Sequence, residues 1–420
     1  MNKKLIILTV LATLGMTQAK SQGLSLDSCQ EKAKRAYPLV HKYDLLEKSK
    51  EYSLSNVQKG YLPQLSISGY STYQSQVFSL PFQIPGSTIE PIRQDQHRLY
   101  GEVVQPITDL FLLKNQKENI KIGNELEKQK VNVEMYQIRD RINQIYFGIL
   151  FIDAQLIQTE LLKKDLQAGL AKTNTAIENG IAIQASADIL KVELLKVNQR
   201  VIELKANRKG FIDMLALFIN EPINENTEFE MPAIQIQTTA INRPELKLFD
   251  VQHRSLGVQN TLVANKTYPR VSAFFQGGVG APGLNMLNNE PSAYYITGVR
   301  MNWNISSLYT NKKERKMIQI NQQSLGIQRE AFLFNTQLAL KQQSAEIQKM
   351  EALVDSDDEI ISMRMTIKNS TKNQLENGTA TANDYLIQVN AEDQARQTQI
   401  MHRIQLLQAQ YKHQTIRGTN

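Results

Sequence analysis

The sequence predicts a mainly α-helical fold with a transmembrane β portion, built twice from a helix–strand–strand–long helix–helix unit. Three observations carry this prediction. The tripeptide Glu-Asn-Gly occurs at 178–180 and again at 376–378, inside surroundings that repeat with it. Apolar residues follow alternating spacings of four and three through long stretches. Between those stretches lie short runs rich in Gly, aromatic and β-branched residues, quite unlike the helical ones.

Composition narrows the function classes. The 420 residues carry 48 Lys plus Arg against 41 Asp plus Glu, a formal charge of +7. The two signs are interspersed along helical stretches instead of gathered on one arm, which describes solvated helix faces and argues against nucleic acid as a partner. The single cysteine, Cys29, excludes an intrachain disulfide and a Cys-based metal cluster.

At the N-terminus, a basic start (Met1–Lys4), an apolar run (Leu5–Gly15) and a small-residue exit have the layout of a secretory signal peptide. Residues 1–21 are assigned to it, with cleavage after Ala19 or Ser21. Cys29 follows "SLD", without the small residues a lipidation site needs. No later stretch reaches the roughly 18–20 apolar residues of a spanning helix, so any membrane span must be made of strands.

The repeat sets the domain organisation. Pro38 and Pro244 open helical patterns, and Pro63 and Pro269 close them, both pairs 206 positions apart. Pro suits a helix start, where its missing N–H is not needed, and the residues just past a helix end. "PITDLFLLKNQKENIKI" then aligns with "NISSLYTNKKERKMIQI" at an offset of 198, which holds as far as Gly180 and Gly378. The eight-residue difference falls in the Pro- and Gly-bearing stretch between the first two strands, where an insertion costs little. The first repeat therefore spans 22–230 and the second 231–420.

In the first repeat a helix over about 26–60 precedes strands over about 63–80 and 96–107. A long helix over about 110–177, a turn over about 178–186 and a return helix over about 187–219 follow. In the second, a helix over about 244–266 precedes strands over about 269–281 and 293–306. Its long helix covers about 308–375, its turn 376–383 and its return helix 384–416. Each long helix runs about 100 Å at ~1.5 Å per residue, and must pack alongside other helices. Ile138, Ile142, Ile145, Ile149, Ile152 and Leu156 keep the coiled-coil spacing. Leu340, Gln343, Ile347, Met350 and Val354 echo it, and Leu190, Leu194, Val197, Val201 and Leu204 do so on the return helix.

A freestanding coiled-coil rod would explain the helices equally well, so the strands decide. Tyr295, Thr297, Val299, Met301 and Trp303 alternate with Gly298, Arg300, Asn302 and Asn304, while Leu99, Gly101 and Val103 alternate with Tyr100 and Glu102. Apolar-out, polar-in alternation over roughly 9–11 residues suits a membrane-spanning strand, although a half-buried soluble sheet would give similar alternation. Glu102, Arg300, Asn302 and Asn304 are then the lumen-side candidates. Open sheet edges are forbidden in hydrocarbon, and four strands cannot close on themselves, so several chains must pool theirs.

Signal peptide, duplicated helix–hairpin–helix units, long helices and paired "ENG" turns together resemble the TolC-like outer-membrane efflux protein family, over about residues 24–416. The resemblance implies a homotrimer in outer-membrane lipid. In it, a 12-stranded β-barrel is continued by a long α-helical coiled-coil barrel across the periplasm. It further implies a passive duct without cofactor or metal, joined through a periplasmic adaptor (membrane fusion) protein to an inner-membrane efflux pump. By the same resemblance Glu178, Asn179, Gly180, Glu376, Asn377 and Gly378 form turns at the periplasmic tip.

"ENGTATANDYL" matches the family's turn and puts Asp384 where members place a constricting ring of carboxylates. In the first hairpin the matching acid is Asp188, although its turn is two residues longer. A second acid found one helical turn on in some members is Ile387 here, and the polar locking positions correspond to Leu375 and Ala380. A plainer reading stays open: Asn383 as helix cap and Asp384 favouring the helix dipole. The run "DSDDE" (355–359) reads as a solvated helix face, with an acidic tunnel ring as the alternative.

His41, His97, His253, His402 and His413 show no metal-ligand spacing, and neither a P-loop nor a serine elbow is present. "QGGVGAPG" follows a strand and opens no helix, so its glycines read as strand and loop glycines. Nothing points to an enzyme. The alternative to a channel is a periplasmic coiled-coil scaffold or adaptor without a pore.

Overall fold

The computed structural model describes residues 23–78, 86, 92–233 and 240–418; the signal segment 1–21 and the end of the first expected strand, at 79–80, lie outside them. Eleven helices and strands follow in order among the described residues: α1 (Leu26–Ala36), α2 (His41–Gln58), β1 (Gln64–Tyr73), β2 (Asp95–Pro106), α3 (Thr108–Glu178), α4 (Gln184–Ile219), α5 (Pro244–Asn265), β3 (Arg270–Ala281), β4 (Ser292–Asn302), α6 (Ser307–Glu376) and α7 (Ala382–Arg417). The first helix expected from sequence is two helices. Tyr37, forced out of the helical region by the Pro that follows, is extended (ψ 132°) and ends α1. A 3₁₀ turn over Pro38–Val40 leads into α2.

Two compact units divide the chain, and α3, α6 and α7 contribute to both. The first unit holds Met1–Tyr37, Arg139–Gln237 and Gln343–Lys412. Its interior is helix on helix. Ile142, Ile149, Leu166, Leu190, Ile212 and Leu215 are fully enclosed, so the coiled-coil spacing of α3 and α4 is their buried stripe. α1 packs on α4, with the Ser25 hydroxyl capping its first turn by accepting from Ser28 N (3.3 Å).

Polar layers interrupt this apolar interior. Lys368 Nζ lies 2.8 Å from Asp165 Oδ2 and 2.5 Å from the buried Glu392, which also meets Arg396 at 2.7 Å. Asp393 accepts from Gln158 (3.0 Å) and pairs with Arg200 (3.3 Å). Within the run 355–359, Asp355, Asp358 and Glu359 are exposed as expected, but Asp357 is buried against His402 Nδ1 at 2.7 Å. The helical period turns one residue of that acidic run inward, where it needs a partner.

The second unit holds Pro38–Ile138, Thr238–Gln342 and His413–Asn420. Its sheet has the order β1-β2-β3-β4, antiparallel throughout. β1 and β4 are its edges, and among the described residues neither outer edge is paired. Register puts Leu65, Ile67, Leu99, Val103, Phe275, Val279, Val299 and Met301 on one face, and most of these are exposed. Ser66, Ser68, Gln96, Arg98, Glu102, Gln276 and Arg300 share the other. One face of the sheet is thus mainly apolar and the other mainly polar. β4 ends at Asn302: Trp303 turns its indole Nε1 to the Thr267 carbonyl (2.9 Å), and the Asn304 backbone carbonyl accepts from Ser307 Oγ (2.7 Å) where α6 begins. The alternation read from sequence runs past the real strand end.

Candidate functional site: the hairpin tips and the polar face of the sheet

In the first unit, α3 turns into α4 and α6 into α7 by the same device. Gly180 and Gly378 both take φ +72°. Gly180 N donates to Ile177 O (2.9 Å) and Ile181 N to Ala176 O (2.8 Å); Gly378 N donates to Leu375 O (3.1 Å) and Thr379 N to Gln374 O (2.9 Å). This pairing satisfies the last helical carbonyls and requires a left-handed residue after the cap. A Cβ at Gly180 would meet nothing within 4 Å, so conformation and not space demands glycine there. Glu178 and Glu376 are the last helical residues, and Asn179 and Asn377 the caps. The repeated tripeptide is one C-terminal stop signal used twice.

Both turns have the same length, residues 179–183 and 377–381. The expected two-residue excess in the first turn is absent, since α4 begins at Gln184 and α7 at Ala382. Position for position, Asp384 corresponds to Ser186, and Asp188 lies half a turn deeper in its helix. α7 opens with a capping box whose cap is Thr381, not Asn383. Thr381 N and Oγ1 donate to Asp384 Oδ2 (2.9 and 2.6 Å), and Asp384 N donates to Thr381 Oγ1 (3.2 Å). Ile183, the cap of α4, has no such side chain.

Asp384 is exposed, and the hydrogen bonds from Thr381 hold its carboxyl below the usual carboxylate range. Asp188 is held low by Gln184 Nε2 (3.1 Å) and Lys191 Nζ (3.3 Å). Both are ionised at neutral pH. Ile387 is exposed one turn beyond Asp384. A cleft of about 770 Å³ opens between the turns, lined among others by Thr175, Ile181, Leu375, Ala380 and Thr381. Lys172 and Glu376, also on its wall, form an ion pair between α3 and α6. Leu375 packs on a core cluster with Leu166, Leu190, Tyr385 and Val389.

In the second unit, two lumen-side candidates meet directly. Arg300 Nη2 lies 2.8 Å from Glu102 Oε1, across β3, and its guanidinium sits over the Phe274 ring at 4.6 Å. Asn302 ends β4 on the same face, opposite Arg270. Asn304 lies beyond the strand. Sequence reading missed Lys172–Glu376, Lys368–Glu392 and His402–Asp357, which join distant segments. Only an ionisable residue at an otherwise apolar helical position hints at the two buried pairs, and Lys172–Glu376, with both side chains well exposed, gives no such signal.

No family model matches the chain, and no curated protein matches it. Solved structures do. The outer membrane protein VceC from Vibrio cholerae is 13% identical, with TM-score 0.64 over 92% of this chain and 95% of that one. The Campylobacter jejuni CmeC outer membrane channel is 10% identical, with TM-score 0.66 over 94% and 85%. The Neisseria gonorrhoeae MtrE outer membrane channel in its open state is 12% identical, with TM-score 0.66 over 94% and 89%. At such identities the likeness is one of fold, and it extends over nearly the whole chain: this chain has the fold of the TolC-like outer-membrane efflux channels.

Proposed function

We propose that the protein is the outer-membrane channel of a tripartite efflux or type I secretion system, a passive duct and not an enzyme. The observation that carries this reading is the four-stranded sheet with an exposed apolar face and two edges unpaired among the described residues. Exposed apolar area of that extent is costly in water, and open edges are costly in lipid. One arrangement relieves both: a closed barrel in the outer membrane made of strands from several copies. Three copies give twelve strands, enough for an aqueous lumen.

The helices support pooling too. α6 leaves Ile320, Ile327 and Phe334 exposed at seven-residue spacing, the pattern of a seam awaiting a neighbouring helix. Residues 22–230 and 231–420 are read as two copies of one unit. The equal turns and the matching ends of α4 and α7, 198 positions apart, favour that reading.

The hairpin tips then lie in the periplasm, where a periplasmic adaptor joins the duct to an inner-membrane pump. Three ionised Asp384 side chains around the axis would form the constriction, attracting cations and repelling one another. Asp188, out of step with Asp384, is a weaker member of that ring, and Ile387 adds an apolar collar beyond it. Glu102, Arg300 and Asn302 line the barrel. Detergent extraction of isolated outer membranes tests the reading: the protein is expected there at trimeric mass. A soluble periplasmic monomer or dimer overturns it in favour of a coiled-coil scaffold.

A further inference from the structure

The polar face of the sheet carries four charged residues within its strands, Arg98, Glu102, Arg270 and Arg300. Two of the cations are neutralised locally. Arg300 pairs with Glu102, and Arg270 pairs with Asp109 in the first turn of α3. Arg98 has no acidic partner among the described residues. Its guanidinium carbon lies 5.9 Å from the Tyr70 ring centroid, and its Nε is enclosed without an acceptor among the described residues.

A second orphan donor sits two strands away on the same face. Tyr294 is 9% exposed, and its hydroxyl is enclosed with no hydrogen-bond partner among the described residues. Register places Arg98 opposite Gly280 and Tyr294 opposite Gly278, so the strand between them is bare on this face. It has to be bare. A Cβ at Gly278 would lie 2.3 Å from the Leu99 carbonyl oxygen and 2.5 Å from Tyr100 Cβ, and one at Gly280 would lie 3.1 Å from Arg98 Cγ. Arg98 therefore leans over Gly280. Enclosed polar groups without partners are rare in folded proteins, and each calls for a missing partner.

Resting on the channel reading above, we infer that Arg98, Tyr294 and the glycine floor at 278 and 280 form a binding site for oxyanions in the barrel lumen. The solutes it favours bear phosphate, sulfonate or carboxylate groups. A guanidinium offers only donors, in a fork that matches two oxygens of such a group. The Tyr294 hydroxyl adds a third donor, and Glu102 is already occupied by Arg300. Three copies place three such sites around the lumen near its loop end, opposite in sign to the acidic tips. The glycine run is not a phosphate loop opening a helix; it is the floor of the site because side chains cannot fit.

Currents through trimers in planar bilayers of neutral lipid, with inorganic pyrophosphate added on the loop side, test this. Wild-type currents are expected to be blocked in a concentration-dependent way. Arg98→Gln raises the half-blocking concentration about tenfold or more, as loss of a charge-assisted contact does. Tyr294→Phe, which removes one oxygen, raises it less, and Arg98→Lys keeps part of the block. If Arg98→Gln fails to assemble, the other two variants carry the comparison. An unblocked wild type, or block unchanged in Arg98→Gln and Tyr294→Phe, overturns the site while the channel stands. A wild type that never conducts overturns the channel, and the site with it.

Discussion

α3 and α6 are near twins in length, 71 and 70 residues, yet they bury different things. Ile122 of α3 is 3% exposed, while Ile320, 198 positions on in α6, is 60% exposed. In the other unit, Leu162 is 6% exposed and its counterpart Ile360 45%. The same apolar position is spent inside the chain on one helix and held outward on the other. The difference separates two kinds of stability. On the channel reading proposed above, α3 holds the single chain together and α6 keeps its stripe for another copy.

The largest effect that would sharpen this contrast is on Leu162→Ala, which should cost the folded chain about 2–5 kcal/mol through lost burial and a cavity. Ile360→Ala should stay within about 0.5 kcal/mol for the chain itself. Denaturant unfolding of detergent-dispersed monomer checks both. Ile360→Ala should instead lower the trimer's midpoint of dissociation, and an equal cost for the two monomers would break the comparison.

The sheet extends the contrast to lipid. Val299→Arg, on its exposed face, should cost about 2–4 kcal/mol near the bilayer midplane. Gln276→Arg, on the polar face, should be tolerated. The yield of trimer in outer membranes measures the difference.

The smallest effect separates the two hairpin turns. Thr381→Ala should cost about 1 kcal/mol by removing the cap of α7, whereas Ile183→Ala removes no capping bond. The first loss depends on pH. Asp384 has its carboxyl depressed in the folded hairpin by Thr381, so it adds stability above the ordinary carboxylate value, and this disappears as pH falls through the lowered one. Thr381→Ala should flatten that acid-side slope, read by thermal unfolding at successive pH values.

Much of this was legible in the residues. The offsets of 206 and 198 marked the elements in order, and the spacing of Ile138 to Ile152 named the buried stripe of α3. Element ends were harder. Alternation through Trp303 and Asn304 continues past the last ladder bond of β4, because a side-chain pattern does not report where hydrogen bonding stops. The starts of α4 and α7 were hidden by Gln184 and Ala382, which carry no large apolar signal. At the tip, Thr381 and Asp384 stand at capping-box spacing, so that part was readable. Lys172–Glu376 and Lys368–Glu392 join residues far apart in sequence. Arg98 and Tyr294 were likewise hidden, because only strand register brings them to one face.

The two equal turns set a rule for how this chain can change length. Each is closed by the same pair of carbonyl-capping bonds around a left-handed glycine, and each joins two helices whose stripes must stay aligned. One residue inserted in α3 rotates everything after it by about 100°, carrying its buried stripe round to water. Growth or shrinkage in these hairpins therefore comes in steps of about seven residues, taken by outgoing and returning helix together. The segments 74–94 and 282–291 that join the strands differ in length, 21 residues against 10.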